Sequence, residues 1–137
     1  MQFHKVLIVE NEQFHFEIVK RLLNGLSITD VHHAERGEIA IRMAEEERFD
    51  LILCDYDLGG ITGVEVISKV REMPAYAHTP IIIMTAETES RVAVEASEAG
   101  ATLFLKKPFT GAAFKERLDM ALETTEGDLV PSPGDAG

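Results

Sequence analysis

Apolar residues along this chain fall into two alternating patterns. Short uninterrupted runs at His4 to Val9, Ile28 to Ala34, Phe49 to Cys54, Pro80 to Met84 and Thr102 to Leu105 have the length of strands. Between them, apolar positions recur at helical spacing: Ile18, Val19, Leu22, Leu23 and Leu26 first, then within Glu38 to Glu47, Val64 to Met73, Arg91 to Ala99 and Ala112 to Leu122. Gly25 and Gly100 stand where helices stop, and Pro74 follows the third helical segment. Leu51-Ile52-Leu53 and Ile81-Ile82-Ile83 have no polar alternation, so both faces of these strands must be covered. That is the pattern of central parallel strands flanked by helices. Five strands alternating with five helices, no internal repeat and right-handed crossovers predict an open, doubly wound α/β sheet. Its functional loops should lie at the carboxyl ends of the strands.

The chain's 137 residues, 45% of them hydrophobic, suit one packed domain. Acidic residues outnumber basic ones 24 to 13, for a net charge of -11. Such a surface repels nucleic-acid phosphates and anionic membranes, and points instead to a basic partner or a cation. The single cysteine, Cys54, excludes an internal disulfide framework and a multi-thiolate zinc site, and its apolar strand predicts a buried small hydrophobe. A reducing compartment, the absence of a membrane-length apolar run and the absence of a signal peptide after Met1 make a cytoplasmic location the expectation. After Glu123 the segment TTEGDLVPSPGDAG has too little apolar content to offset its ordering entropy. Residues 1–123 are therefore expected to form the domain, and 124–137 a disordered tail or the start of a linker to an output domain.

The first strand ends in Glu10-Asn11-Glu12 and the third in Asp55-Tyr56-Asp57, and in this architecture the two strands lie side by side. Carboxylates gathered at one edge repel unless protonated or neutralised, and hard oxygen ligands select Mg²⁺ or Mn²⁺. The fourth strand ends in Thr85-Ala86 and the fifth in Lys106-Lys107-Pro108, which add a hydroxyl and an ammonium. Together these groups suit a phosphoryl group: cation and lysine neutralise its oxygens, and the hydroxyl donates a hydrogen bond. Asp55 is the natural nucleophile, since a carboxylate attacking phosphorus gives a labile acyl phosphate suited to a reversible signal.

VLIVEN, LILCDYDLGGITG, IIIMTA and GATLFLKKPF, in this order and each at a strand end, resemble the response-regulator receiver domain (CheY-like) of two-component signal transduction, over about residues 4 to 123. The resemblance implies a flavodoxin-like, doubly wound five-stranded parallel sheet with five helices. It also implies a phosphorylation-dependent switch that takes its phosphoryl group from a histidine kinase or a histidine phosphotransfer protein and acts on a downstream output. Asp55 would be the phosphoacceptor. Mg²⁺ (or Mn²⁺) would be held by Glu10, Asn11, Asp55 and the backbone carbonyl of Asp57. Lys107 would bind phosphate, its bond to Pro108 would be cis, and Thr85 and Phe104 would form the switch pair. Such a domain catalyses its own phosphorylation and dephosphorylation only and is not an enzyme acting on other substrates.

Three positions depart from the family's habit. Asn11 stands where an aspartate is usual, which removes one negative charge from the metal set and predicts weak Mg²⁺ binding in the empty site. Gly59, beside Gly60, replaces a common proline and predicts a more flexible loop. Phe104 replaces the commoner tyrosine and lacks its hydroxyl. The Asn11 departure keeps open a degenerate receiver that binds partners without phosphorylation. The Asp55-x-Asp57 pair also resembles the nucleophile motif of haloacid-dehalogenase-type phosphatases, although there it ends the first strand of a longer chain. A calcium-loop reading fails, because the twelfth position is Val66 rather than glutamate.

Glu12 is expected at the start of the first helix rather than on a metal, and Lys106 on the side of its strand opposite the site. His32 and His33 should point to opposite faces, and His4, His15 and His78 have no ligand spacing, so all five read as ordinary surface or edge histidines. Phe14 and Phe16 differ by about 200° around a helix, so both cannot face the core. The exposed one is either a solvated aromatic or a contact for the phosphodonor.

Overall fold

The computed structural model describes residues 2–86 and 90–127. Strands β1 (Val6–Val9), β2 (Val31–Ala34), β3 (Leu51–Asp55), β4 (Ile81–Thr85) and β5 (Leu103–Lys106) alternate with helices α1 (Gln13–Gly25), α2 (Gly37–Glu46), α3 (Gly63–Arg71), α4 (Ser90–Ala99) and α5 (Gly111–Gly127). The strands form one sheet in the order β2-β1-β3-β4-β5, and every pairing is parallel. This is the doubly wound, flavodoxin-like architecture, with β1 beside β3.

Alternation along the strands sorts the core into two layers. Leu7, Val9, Ile52, Cys54, Ile81 and Ile83 pack with Ala40, Ala44, Val66, Ile67, Val70 and Ala96 from α2, α3 and α4. On the other face, Val6, Ile8, Leu51, Leu53, Ile82 and Met84 meet Phe16, Val19, Leu23, Phe114 and Leu118 from α1 and α5. All five residues of β3 and of β4 are buried, which is why these segments carry no polar alternation. Each large side chain removed from water here contributes about 1.5–3 kcal/mol before conformational entropy is set against it.

The elements differ from the sequence reading in three places. β2 is shorter than Ile28 to Ala34, because Ser27 takes φ 67° and the Val31 N–H turns back to the Thr29 carbonyl. A 3₁₀ turn at Pro74–Tyr76 follows α3 and buries Tyr76, whose hydroxyl bonds the Ala44 and Glu47 carbonyls at 2.9 and 2.7 Å. Helix α5 continues past Glu123 to Gly127, and the Thr124 hydroxyl bonds the Met120 carbonyl at 2.9 Å, one turn back. The first residues of the expected tail thus extend this helix, and the rest of it, 128–137, lies outside the described residues.

Candidate functional site

The carboxyl edge of the sheet gathers side chains that are far apart in sequence. Asp55 is the last residue of β3 and Thr85 the last of β4, while Glu10 and Lys107 directly follow β1 and β5. The Lys107 N–H bonds the Thr85 carbonyl at 2.8 Å, extending the β4–β5 pairing by one residue. Lys107 Nζ then lies 3.2 Å from Asp55 Oδ1 and 3.2 Å from Glu10 Oε1. Lys106 is exposed on the other side of its strand, as alternation requires. The Lys107-Pro108 peptide is cis.

A cleft of about 260 Å³ opens over this edge, lined by Asn11, Asp55, Asp57, Thr85 and Lys107, with His15 at its rim. Glu10 lies beneath, fully buried: Oε1 takes the lysine, and Oε2 accepts the Glu12 backbone N–H at 3.3 Å. Asp55 is only 6% exposed. Burial, and then the charge of Glu10, push its carboxyl up to about 6, with Lys107 pulling the other way. The site thus holds two buried carboxylates against one ammonium, a deficit that an arriving cation would relieve. Burial also pushes the neighbouring Cys54 thiol far up, so this cysteine is a core hydrophobe rather than a nucleophile.

The loop after Asp55 is shaped by two glycines. A Cβ on Gly63 would sit 2.3 Å from the Asp55 carbonyl oxygen, so the first turn of α3 approaches the acceptor residue more closely than any side chain permits. The Gly63 N–H bonds the Tyr56 carbonyl at 2.8 Å, and a reciprocal Thr62–Glu65 capping box anchors the helix start. Gly59 adopts φ 77°, and its N–H donates to Asp57 Oδ1 at 3.2 Å. A proline ring holds φ near −65°, so a proline at position 59 could not take the φ of 77° that turns the loop here.

For a hard divalent cation, the oxygen-bearing residues that line the cleft include Asn11, Glu12, Asp55 and Asp57. No group of three His, Cys, Asp or Glu able to hold a metal occurs among the described residues. The all-oxygen donor set fits Mg²⁺ chemistry, with an amide at Asn11 in place of a carboxylate. Phe104 lies away from the cleft, half-buried against the α3–α4 layer. Its register partner is Ile83, two residues before Thr85, so Thr85 and Phe104 share a face of the sheet.

Three contributors carry no strong signal in the sequence. His15 reaches the cleft because Glu12 is the N-cap of α1, which places His15 three residues on. Its Nδ1 lies 3.8 Å from Glu10 and 3.7 Å from Glu12. Recognising Glu12 as the cap is the one clue that would have found it. Gly63 needs the tertiary approach to explain it, and His33 needs its partners in three dimensions. Of the aromatic pair, Phe16 is buried and Phe14 is 71% exposed. Phe14 lines an apolar groove beside the cleft with Ile18, Val19, Pro108 and Phe109.

A buried aspartate facing a lysine and a threonine at the carboxyl edge of a 2-1-3-4-5 parallel sheet defines a receiver-type signalling domain. The chain belongs to the response regulator receiver domain family, whose model matches residues 6–119. It is 33% identical over 119 residues to chemotaxis protein CheY-3 of Vibrio cholerae serotype O1, covering 87% of this chain and 92% of that one. Its fold superposes on the Vibrio cholerae chemotaxis protein CheY4 with a TM-score of 0.81, at 31% identity over 86% of this chain and 98% of that one. It also matches the receiver domain of a sensor histidine kinase from Pseudomonas aeruginosa PAO1, solved with a magnesium ion in its active-site cleft. There the TM-score is 0.80, with 27% identity over 88% of this chain and 98% of that one. Among the described residues, no helix is long and apolar enough to cross a membrane.

Proposed function

We propose that this receiver is a phosphorylation-controlled switch in which Asp55 accepts a phosphoryl group from a phosphohistidine of a histidine kinase or phosphotransfer protein in the cytoplasm. The observation that carries this reading is the position of Lys107 Nζ, 3.2 Å from both Asp55 and Glu10 at the floor of an open cleft. An Asp55 carboxylate oxygen attacks phosphorus, an O–P bond forms, and the donor's N–P bond breaks with its electron pair left on the imidazole nitrogen, which takes a proton from solvent. Lys107 stays protonated and turns toward the transferring oxygens, while Glu10 holds it in place. Thr85, buried at the end of β4, supplies a hydroxyl to the phosphoryl group, and Phe104 on the same face repacks with it. Mg²⁺, held by Asp55, Asn11 and the Asp57 carbonyl with Glu10 behind them, would supply charge neutralisation of the phosphoryl oxygens. On this reading the domain turns over no external substrate, and its output passes to a downstream protein or domain. The exposed Phe14 lines the groove beside the cleft, which supports its reading as a contact for the phosphodonor.

Mg²⁺ with acetyl phosphate or beryllofluoride tests the reading. One phosphoryl group should appear on Asp55 by mass, and beryllofluoride should shift the resonances of Thr85 and Phe104. Silence in the wild type, together with a response in Asn11→Asp, would identify a receiver whose amide has turned it into a phosphorylation-independent binding module. Steady phosphate release from small phosphomonoesters would instead indicate a phosphatase.

A further inference from the structure

Beyond the cleft residues, we propose that His33 is a positioning residue for the phosphoryl site, acting through the main chain of Glu10; the proposal rests on the receiver reading above. The β1–β2 pairing ends at Val9 and Ala34, and the Glu10 N–H still bonds the Ala34 carbonyl at 3.0 Å. In a parallel ladder the Glu10 carbonyl would next take the N–H of residue 36. Arg36, however, is already the N-cap of α2, so the chain has left the ladder. The ring of His33 fills the gap: its Nε2 lies 2.7 Å from the Glu10 carbonyl oxygen. A carbonyl only accepts, so this nitrogen carries the proton.

The ring is itself held in place. It stacks on the buried Phe16 of α1 with centroids 3.8 Å apart and planes 5° from parallel. The carbonyl it binds belongs to the peptide plane joining Glu10 to Asn11. That bond therefore fixes the direction in which Asn11 leaves the strand toward the cleft. It also fixes the backbone from which the Glu10 carboxylate reaches Lys107. His32, one residue earlier, points to the opposite face, pairs with Asp30 at 2.7 Å and meets the edge of Phe49. It touches nothing in the site and is an internal control.

The test uses four proteins: wild type, His33→Phe, which keeps an aromatic face for Phe16 but has no donor, His33→Gln, which keeps an N–H donor, and His32→Phe. We expect His33→Phe to phosphorylate from acetyl phosphate about 10-fold more slowly at saturating Mg²⁺, with Asn11 side-chain amide resonances displaced. His33→Gln should recover most of the rate, and His32→Phe should match wild type. A His33→Phe protein as fast as wild type overturns the proposal, and so does a His33→Gln protein as slow as His33→Phe. A tautomer readout needs no variant to fold: long-range ¹H–¹⁵N correlation in the wild type should show a proton on Nε2, and a ring protonated only at Nδ1 refutes the positioning bond. If the wild type takes up no phosphoryl group, the phosphoacceptor reading fails. The Nε2 proton and the Asn11 displacement still decide the role of His33.

Discussion

The two ends of the sheet solve the problem of buried polarity in opposite ways. At the amino edge three side chains are matched by several partners each, although the buried Thr79 hydroxyl, just before β4, has none among the described residues. The Asp50 carboxylate accepts the N–H groups of His4 and Lys5 at 2.8 and 3.1 Å. Arg71 bonds the Gly100 and Tyr76 carbonyls and the Thr102 hydroxyl, tying α3 to the start of β5. The Tyr76 hydroxyl is saturated by backbone groups. At the carboxyl edge, Glu10 and Asp55 share one lysine, and burial, then the charge of Glu10, push Asp55 up to about 6 against the pull of that lysine. A matched network contributes stability and nothing else. A mismatched one has a charge deficit that a cation and a phosphoryl group can answer, and that makes it a switch.

Substitutions separate the two ends. The largest effect belongs to Asp55→Asn, which should abolish phosphoryl uptake by mass spectrometry. The same change should stabilise the metal-free protein. Because the carboxyl is held above its ordinary value, ionising it in the fold costs stability above about pH 6, and the cost fades as pH falls below that. Allowing for solvent screening, urea unfolding at pH 7 should show a gain of about 1–2 kcal/mol. Next in size, Lys107→Ala should slow acetyl-phosphate labelling by about 100-fold, since it removes the ammonium that lies 3.2 Å from the reacting carboxylate. The matched edge should answer differently. Tyr76→Phe strands two carbonyls and should cost about 1–3 kcal/mol in urea unfolding, with the labelling rate unchanged.

Smaller effects refine the picture of the mismatch. Asn11→Asp adds a carboxylate to the cleft and should tighten Mg²⁺ about 10-fold in a fluorescence or NMR titration. Unchanged affinity would mean that the amide already binds as well as an acid. In metal-free solution, Asp55 carboxyl shifts followed by NMR should titrate with a midpoint near 6, so about half of the nucleophile is lost at that pH. A midpoint near 4 would remove the charge deficit on which the contrast between the two edges depends.

Much of this was readable in the residue pattern. The five strands, the five helices and the gathering of Glu10, Asn11, Asp55, Asp57, Thr85 and Lys107 at strand ends follow from apolar runs, helical spacing and the crossover rule, because each is a local property repeated along the chain. Cys54 also lies where strand periodicity puts it, and only one of Phe14 and Phe16 is buried, as their helical spacing requires. The 3₁₀ turn was hidden behind Pro74, since its stability comes from the Tyr76 hydroxyl reaching carbonyls 29 and 32 residues away. The cleft roles of His15, His33 and Gly63 were equally hidden, for each depends on a neighbour that linear spacing does not reveal.

The residue pattern alone established the fold class and the identity of the chemical groups, because burial periodicity and strand-end chemistry are carried within each segment. Which group is charged, which is held and which is free to react was decided by packing. Lys107 meets Asp55 at 3.2 Å across 52 positions of sequence, and this contact opposes the upward push that burial and the charge of Glu10 exert on the Asp55 carboxyl. Linear order brings no charge near another over such a span. The folded sheet does, and a buried Coulomb interaction is strong only at the distances it creates.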